Sequence, residues 1–235
     1  MVIAAVLAGG IGSRMGSADL PKQFLPLAGV PIIARTVKKF ADLAQVDKVL
    51  VLTPADWVEK TEELLASHIE NTEKITVLPG GADRSQTLGK ILEHIKTYPD
   101  LAEDTVVLTH DAVRPLLTDR IILENIELAK KYGACGTYIP AVDTIAQSGD
   151  GMSIDGVPPR SEMYLTQTPQ SFNFKRLYDH FFSLTEEEKA KLTDACMIFT
   201  LKGEKVYIVK GESSNIKITY PRHLLIAQAL LEDEG

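Results

Sequence analysis

Four short runs built almost entirely from Val, Ile, Leu and Ala divide the first half of the chain: VIAAVLA (2–8), VDKVLVL (46–52), KITVLP (74–79) and TVVLTH (105–110). A strand with one wet face alternates apolar and polar residues, whereas a run that stays apolar must be buried on both faces. Between these runs lie helix-period segments at 31–43, 55–69, 84–96 and 119–132. Buried strands alternating with helices predict an α/β fold: a three-layer, mostly parallel twisted sheet with helices on both faces and right-handed crossovers.

After residue 139 the pattern changes. VDTIAQ, a turn at Ser148-Gly149-Asp150-Gly151, and MSIDGV read as the two limbs of a β-hairpin. That segment has too few apolar residues for a core of its own, so it is expected to project as an arm over about 140–166. Helical patterns return at 174–182 and 193–201, a strand is expected at 205–211, and NIKIT (215–219) alternates like a strand. In NIKIT, Lys217 faces away from Ile216 and Ile218. A last helix opens with Pro221 in its first turn. The whole chain, 1–235, is read as one domain carrying an arm.

Charge excludes some partners. With 25 Lys+Arg against 32 Asp+Glu the formal charge is -7, the wrong sign for coating nucleic acid or an anionic membrane. Cys135 and Cys196 are far apart and outside any C-x-x-C pattern, which indicates neither a disulfide framework nor zinc. The apolar opening lacks the basic flank of a signal peptide, and no run reaches the ~18 residues of a membrane span. A cytoplasmic location is the expectation.

The first strand runs into Leu7-Ala8-Gly9-Gly10-Ile11-Gly12-Ser13-Arg14-Met15-Gly16. A Gly-rich loop between a strand end and a helix lets backbone N–H groups close on phosphates, which points to nucleotide binding. The dinucleotide fingerprint fails because Met15 stands where its third glycine belongs, and the P-loop pattern has no match. A turn that uses glycine only to bend is the competing reading. Arg14 and, after Pro21, Lys22 place two cations beside the loop.

LAGGIGSRMG (7–16), LPKQFLPLAGVPI (20–32), GGADRSQTL (80–88), THDAVRP (109–115), VDTI (142–145), TQTPQSF (166–172) and SSNIKIT (213–219) together resemble the sugar-phosphate cytidylyltransferases. That family includes enzymes acting on ribitol 5-phosphate and on 2-C-methyl-D-erythritol 4-phosphate. The resemblance implies a Rossmann-like nucleotidyltransferase fold and attack of a substrate phosphate on the α-phosphorus of CTP. It makes Arg14 and Lys22 the pair that stabilises the pentacoordinate phosphoryl group. Leu7, Ala8, Gly9 and Gly10 then hold base and phosphates, with Gly80, Gly81, Ala82, Asp83, Arg84, Ser85, Gln86, Thr87 and Leu88 as the second nucleotide loop. Asp111 and Val113 also fall on the nucleotide side, and Asp111 could meet ribose hydroxyls or a Mg²⁺ ion; an internal Asp111–Arg114 ion pair is the alternative. Arg114, Asp143-Thr144, Arg160 and Lys217 match positions that hold the sugar phosphate. A phosphate monoester with a second pKa of ~6 is a dianion at pH 7 and needs no general base, so His110 is read as a packing residue.

Met163-Tyr164 and the segment Thr193-Asp194-Ala195-Cys196 look closer to the ribitol-phosphate enzymes, because the methylerythritol-phosphate enzymes commonly carry more acidic residues after that Thr-Asp. The expected reaction is therefore CTP plus D-ribitol 5-phosphate giving CDP-ribitol, a precursor for teichoic acid or a related cell-wall polymer. Methylerythritol phosphate is the alternative acceptor, and a nucleotide-binding regulator without turnover is the alternative class. The resemblance further implies a divalent cation, Mg²⁺, and a homodimer joined through the arm.

Overall fold

The computed structural model of the chain describes residues 1–10 and 20–233. The elements, in chain order, are β1 (Val2–Leu7), β2 (Pro26–Leu27), β3 (Val30–Pro31), α1 (Ile32–Ala41), β4 (Lys48–Thr53), α2 (Val58–His68), β5 (Ile75–Pro79), α3 (Arg84–Lys96), β6 (Val106–Asp111), α4 (Asp119–Tyr132), β7 (Ala134–Pro140), β8 (Tyr164–Asn173), α5 (Phe174–Phe182), α6 (Glu186–Ala190), α7 (Cys196–Leu201), β9 (Tyr207–Lys210) and α8 (Pro221–Asp233). Seven strands form one sheet in the order β5-β4-β1-β6-β8-β7-β9. Its β5-β4-β1-β6 half is parallel, β8 runs antiparallel between β6 and β7, and β9 pairs parallel with β7. This is the mostly parallel, helix-covered sheet that the apolar runs require.

The period of two along each strand decides which core a residue enters. Val2, Ala4, Val6, Val49, Val51, Val106 and Leu108 pack on one face against Phe40 of α1 and Ile122 and Ile126 of α4. Their neighbours Ile3, Ala5, Leu50, Leu52 and Val107 pack on the other, against Ile91 and Leu92 of α3, Leu177 of α5 and Phe199 of α7. Both faces are dry, so the strands show no alternation in the sequence. A third, smaller cluster joins Leu27, Ile32, Val113, Leu116, Ile218 and Ala227, and seats α8 at the carboxyl end of the sheet. Among the described residues no helix is long and apolar enough to cross a membrane.

Two local expectations are corrected. The hairpin of the arm is reduced to a single bridge between Gln147 and Gly156, and VDTI forms no strand. The turn between the limbs is held by Asp150, whose carboxylate accepts from the N–H groups of Met152 and Ser153, both 2.8 Å away. NIKIT is extended but joins no sheet; it is fixed by Ile218 N–H donating to the Val113 carbonyl at 2.9 Å. Ile218 is fully buried, which still turns Lys217 the opposite way. TQTPQSF lies within the ten-residue strand β8. Pro169 is tolerated there because the β7–β8 register shifts between Gly136 and Tyr138, opposite it, and the β6–β8 pairing ends at Gln170.

Helix α4 stops at Gly133, left-handed at φ 88°, where Arg176 Nη1 donates to the Tyr132 carbonyl at 2.9 Å. A Cβ on Gly133 would fall on the Arg176 guanidinium. Gly133→Ala is expected to lower stability by about 1–3 kcal/mol from backbone strain alone, read as a reduced urea midpoint at unchanged m-value. An unaltered midpoint would show that the turn relaxes at no cost.

Candidate active site

The carboxyl ends of β1, β5 and β6 open into one cavity of about 440 Å³. Its floor is the end of β1: Leu7, Ala8, Gly9 and Gly10 all line it. Ala8 extends the sheet by donating its N–H to the Leu52 carbonyl at 2.7 Å, and its own carbonyl accepts from Gln23 Nε2 at 2.6 Å. Among the described residues nothing lies within 4 Å of a Cβ placed on Gly9 or Gly10, and neither has a positive φ. The packing of the described residues therefore does not require glycine at either position, and the open space suits close approach of a phosphate.

The second loop is organised by the first turn of α3. Asp83 caps the helix by accepting the Gln86 N–H at 2.7 Å, Thr87 Oγ1 accepts the Gly81 N–H at 3.0 Å, and Lys90 Nζ donates to the Gly80 carbonyl at 2.7 Å. Gly81 has a steric need of its own, because a Cβ there would collide with Gln86. Gly81, Ala82, Asp83, Arg84 and Thr87 line the cavity. Gly80 and Gln86 brace the loop from behind: the Gln86 Oε1 accepts the Ala82 N–H at 3.1 Å. Ser85 and Leu88 face a narrow apolar recess beside the cavity, shared with Leu192, Asp194 and Ala195.

Lys22 is buried in a single turn of 3-10 helix, Lys22–Phe24, that follows Pro21, and lines the opposite wall with Gln23. Phe24 stacks on Trp57 with ring centroids 4.6 Å apart and anchors that turn. Arg14 lies outside the described residues. Gln23 carried no signal of its own in the sequence beyond standing next to Lys22, and Ala112 none.

Asp111 ends β6 at the centre of the site. Its Oδ1 meets Arg84 Nη1 at 3.0 Å, and its Oδ2 meets Lys217 Nζ at 2.9 Å and Arg114 Nε at 3.6 Å. Burial opposes its charge, but Lys217, Arg84 and Arg114 outweigh that and hold the carboxyl well below the ordinary carboxylate range. Arg114 lines no part of the cavity. It is buried behind the wall, donating to the carbonyls of Asn215 at 2.7 Å and Thr166 at 3.4 Å, and burial lowers its pKa. The internal ion pair is thus the alternative that the structure contains, and it turns the Arg114 guanidinium away from any substrate in the cavity. Val113 lines the cavity through its largely buried side chain. Asn215 pins backbone: its Nδ2 donates to the Thr168 carbonyl at 3.0 Å, and Lys217 follows it onto the cavity wall.

Asp143, Thr144 and Arg160 are not brought to this cavity. All three are exposed on the arm, where Arg160 Nη1 donates to the Val142 carbonyl at 3.1 Å. The described residues do not build a resident Mg²⁺ site either. Both Asp111 oxygens are already engaged by cations, and among the described residues no three His, Cys, Asp or Glu side chains gather.

A Gly-rich phosphate cradle at the carboxyl edge of this sheet, ringed by cations, defines a nucleotidyltransferase of the Rossmann-like α/β type. Residues 2–233 match the sequence model of IspD, 2-C-methyl-D-erythritol 4-phosphate cytidylyltransferase, and the chain belongs to that family. Among solved structures it is similar to 4-diphosphocytidyl-2C-methyl-D-erythritol synthase from Anaerococcus prevotii, with 28% identity, 98% of this chain and 96% of that one covered, and a TM-score of 0.80. It is also similar to 2-C-methyl-D-erythritol 4-phosphate cytidylyltransferase from Francisella tularensis, at 27% identity, 97% and 98% coverage and a TM-score of 0.80. The Thermus thermophilus protein of the same name aligns at 26% identity with a TM-score of 0.75, covering 97% of this chain and 98% of that one.

His110, next to Asp111, is fully buried and faces the Phe40 ring edge-on at 5.2 Å. The Arg114 carbonyl, 3.2 Å from Nε2, can only accept, so the neutral ring carries its proton on Nε2, and Thr168 Oγ1, which accepts the Asp111 N–H at 3.1 Å, donates to Nδ1 at 2.9 Å. Burial drives this imidazole from 6.5 to about 4, against the pull of Asp111. The unfolded chain then takes up a proton that the native state refuses. The stability this group contributes is complete above about pH 6.5 and is lost as pH falls toward 4, at up to about 1.4 kcal/mol per pH unit. Histidine NMR titration should find the His110 ring neutral at pH 5.5; a midpoint near its ordinary value would refute the assignment.

Proposed function

We propose that the whole chain acts as one nucleotidyltransferase domain that moves the cytidylyl group of CTP onto a polyol phosphate. The observation that carries this is the composition of the cavity wall: Lys22, Arg84 and Lys217 converge on two glycine-bearing loops, and neither wall carboxylate is free to act as a base. Asp83 caps α3 and Asp111 is ion-paired. Such a wall suits a nucleophile that arrives already ionised. A phosphate oxygen of the acceptor attacks the α-phosphorus, the bond from that phosphorus to the oxygen bridging to the β-phosphate breaks, and pyrophosphate leaves with the electron pair. The protein's work is to align two anions and screen them. Mg²⁺ enters on the triphosphate, as part of the substrate.

For the acceptor, D-ribitol 5-phosphate is supported by the segment Thr193-Asp194-Ala195-Cys196, whose Asp194 and Ala195 border the recess beside Arg84 and Ser85. No second carboxylate follows Asp194; Ala195 and Cys196 are buried, and the Asp194 carboxylate accepts the Met197 N–H at 3.0 Å. The second reading, 2-C-methyl-D-erythritol 4-phosphate, is supported by the family match and by the names of the structural relatives, and these favour it over ribitol phosphate. Pyrophosphate release from CTP and Mg²⁺, with each acceptor in turn, decides between them. A higher kcat/KM with methylerythritol phosphate follows from the family match, and a higher value with ribitol 5-phosphate from the Thr193–Cys196 segment; either keeps the reaction. No release with either sinks the reaction itself.

The arm completes the reading. Val142, Met152, Ile154, Val157, Tyr164 and Leu165 leave large apolar side chains exposed along it, which suits coverage by a second copy in an isologous dimer. Thr144 and Arg160 then serve the partner's cavity. Lys22→Ala and Arg160→Ala homodimers are each expected to be nearly inactive, whereas mixed dimers with one mutation per chain recover about half of wild-type activity by geometry. Mixed dimers as inactive as their parents, or a monomer in sedimentation at assay concentration, would show that Arg160 does not act across an interface.

A further inference from the structure

Arg84 and Lys217 reach the cavity from two different elements, one from the first turn of α3 and the other from the segment before α8. Both rest on the same carboxylate, Arg84 on Oδ1 of Asp111 at 3.0 Å and Lys217 on Oδ2 at 2.9 Å. Their side chains are 30% and 41% exposed, so each has room to swing into the cavity. Asp111 has less freedom: its side chain is 9% exposed and its N–H is tied to Thr168 Oγ1. A carboxylate stripped of two cations in this setting would be costly unless another partner stood ready.

One does. Among the described residues Arg114 Nε is a buried donor with no partner within hydrogen-bond distance, and it lies 3.6 Å from the same Oδ2 that Lys217 occupies. Other donors of Arg114 are held by the carbonyls of Asn215 and Thr166, so the guanidinium stays where it is, 10% exposed. A small rotation of the Asp111 carboxyl brings Oδ2 within hydrogen-bond distance of Nε once Lys217 has gone. The orphaned donor and the shared carboxylate thus describe two states of one switch.

We propose that Asp111 is an internal counter-ion that stands in for substrate phosphate: it stores Arg84 and Lys217 at the wall, and on arrival of an anion it releases them and closes on Arg114 Nε. This deepens the transfer reading above, on which it rests for the identity of the anions, and makes Asp111 a positioning residue. It also sets a threshold. A weakly charged anion does not displace a carboxylate from two cations, whereas a phosphate dianion or polyphosphate does, so the exchange selects for the ligand's charge.

The test uses inorganic pyrophosphate without metal, and its readout is binding rather than turnover. Asp111→Asn keeps the shape of the side chain and removes the competing charge, so pyrophosphate should bind at least about tenfold more tightly than to the wild type at low ionic strength. If Asp111 instead contacts the ligand or only braces the loop, binding weakens or stays as it was, and the proposal falls. The variant leaves Arg114 without its counter-ion and could fail to fold, so a second measurement is made on the wild type. The ¹⁵N-resolved Nε–H resonance of Arg114 should move downfield and exchange more slowly with solvent when pyrophosphate is added, as its hydrogen bond to Asp111 forms. A resonance indifferent to saturating pyrophosphate overturns the exchange. Both effects appearing in a protein that transfers nothing to either acceptor would remove the proposed reaction and leave the counter-ion role intact.

Discussion

The Asp111 carboxylate is the point on which the site's geometry depends. It sits where β6 leaves the sheet, and through its two oxygens it meets the first turn of α3 at Arg84, the C-terminal segment at Lys217 and the buried Arg114 behind them. A charge at that depth would be lost to protonation without partners. Those partners belong to three stretches of chain far apart in sequence, so the requirement to neutralise one carboxylate draws them to a common place. Thr168 extends the same logic into β8 by holding the Asp111 N–H and the His110 ring with one hydroxyl. The strand that returns the chain from the arm to the sheet is thus fastened directly behind the cavity.

Much of this was readable in the sequence where a single local rule was at work. The bounds of α3 and α4 coincide with the helix-period segments 84–96 and 119–132, because Asp83 caps the one and Gly133 closes the other in the left-handed region. The dry strands were readable for the same reason, since burial on both faces leaves an unbroken apolar run. Membership of the cytidylyltransferases rested on seven motifs in order, and the family match spans nearly the same stretch.

What escaped notice follows from polar groups satisfied at long range. Strand β8 buries Gln167, Thr168, Gln170 and Ser171 in the middle of the sheet, against the expectation for a central strand. Its partners are as polar as it is: Gln170 Oε1 takes the Ala195 N–H at 3.0 Å, and Ser171 Oγ donates to Asn125 Oδ1 at 3.1 Å. No window of sequence holds both halves of such a pair, so hydropathy alone reads the segment as a connection. Arg114 is a case of the same kind. The resemblance places it on the sugar phosphate, with an internal Asp111 ion pair as the alternative, and the carbonyls that take its donors, those of Asn215 and Thr166, lie far along the chain.

The electrostatics of the whole molecule explain why an internal counter-ion is useful here. A chain of net charge -7 offers no attraction to an anion at long range, and beyond a Debye length of about 8–10 Å the individual charges are screened in any case. Attraction must therefore be local, which calls for several cations around one cavity. Cations gathered without counter-ions would repel one another and recruit any small anion in solution. Setting Arg84 and Lys217 on Asp111 eases both difficulties, since the shared carboxylate offsets part of their charge and keeps the pair ordered at rest, and the two cations remain within one side-chain rotation of the space between the glycine loops. Preorganisation of this kind needs the carboxylate to be the most rigidly held of the three groups, and its burial between β6, Thr168 and Arg114 makes it so.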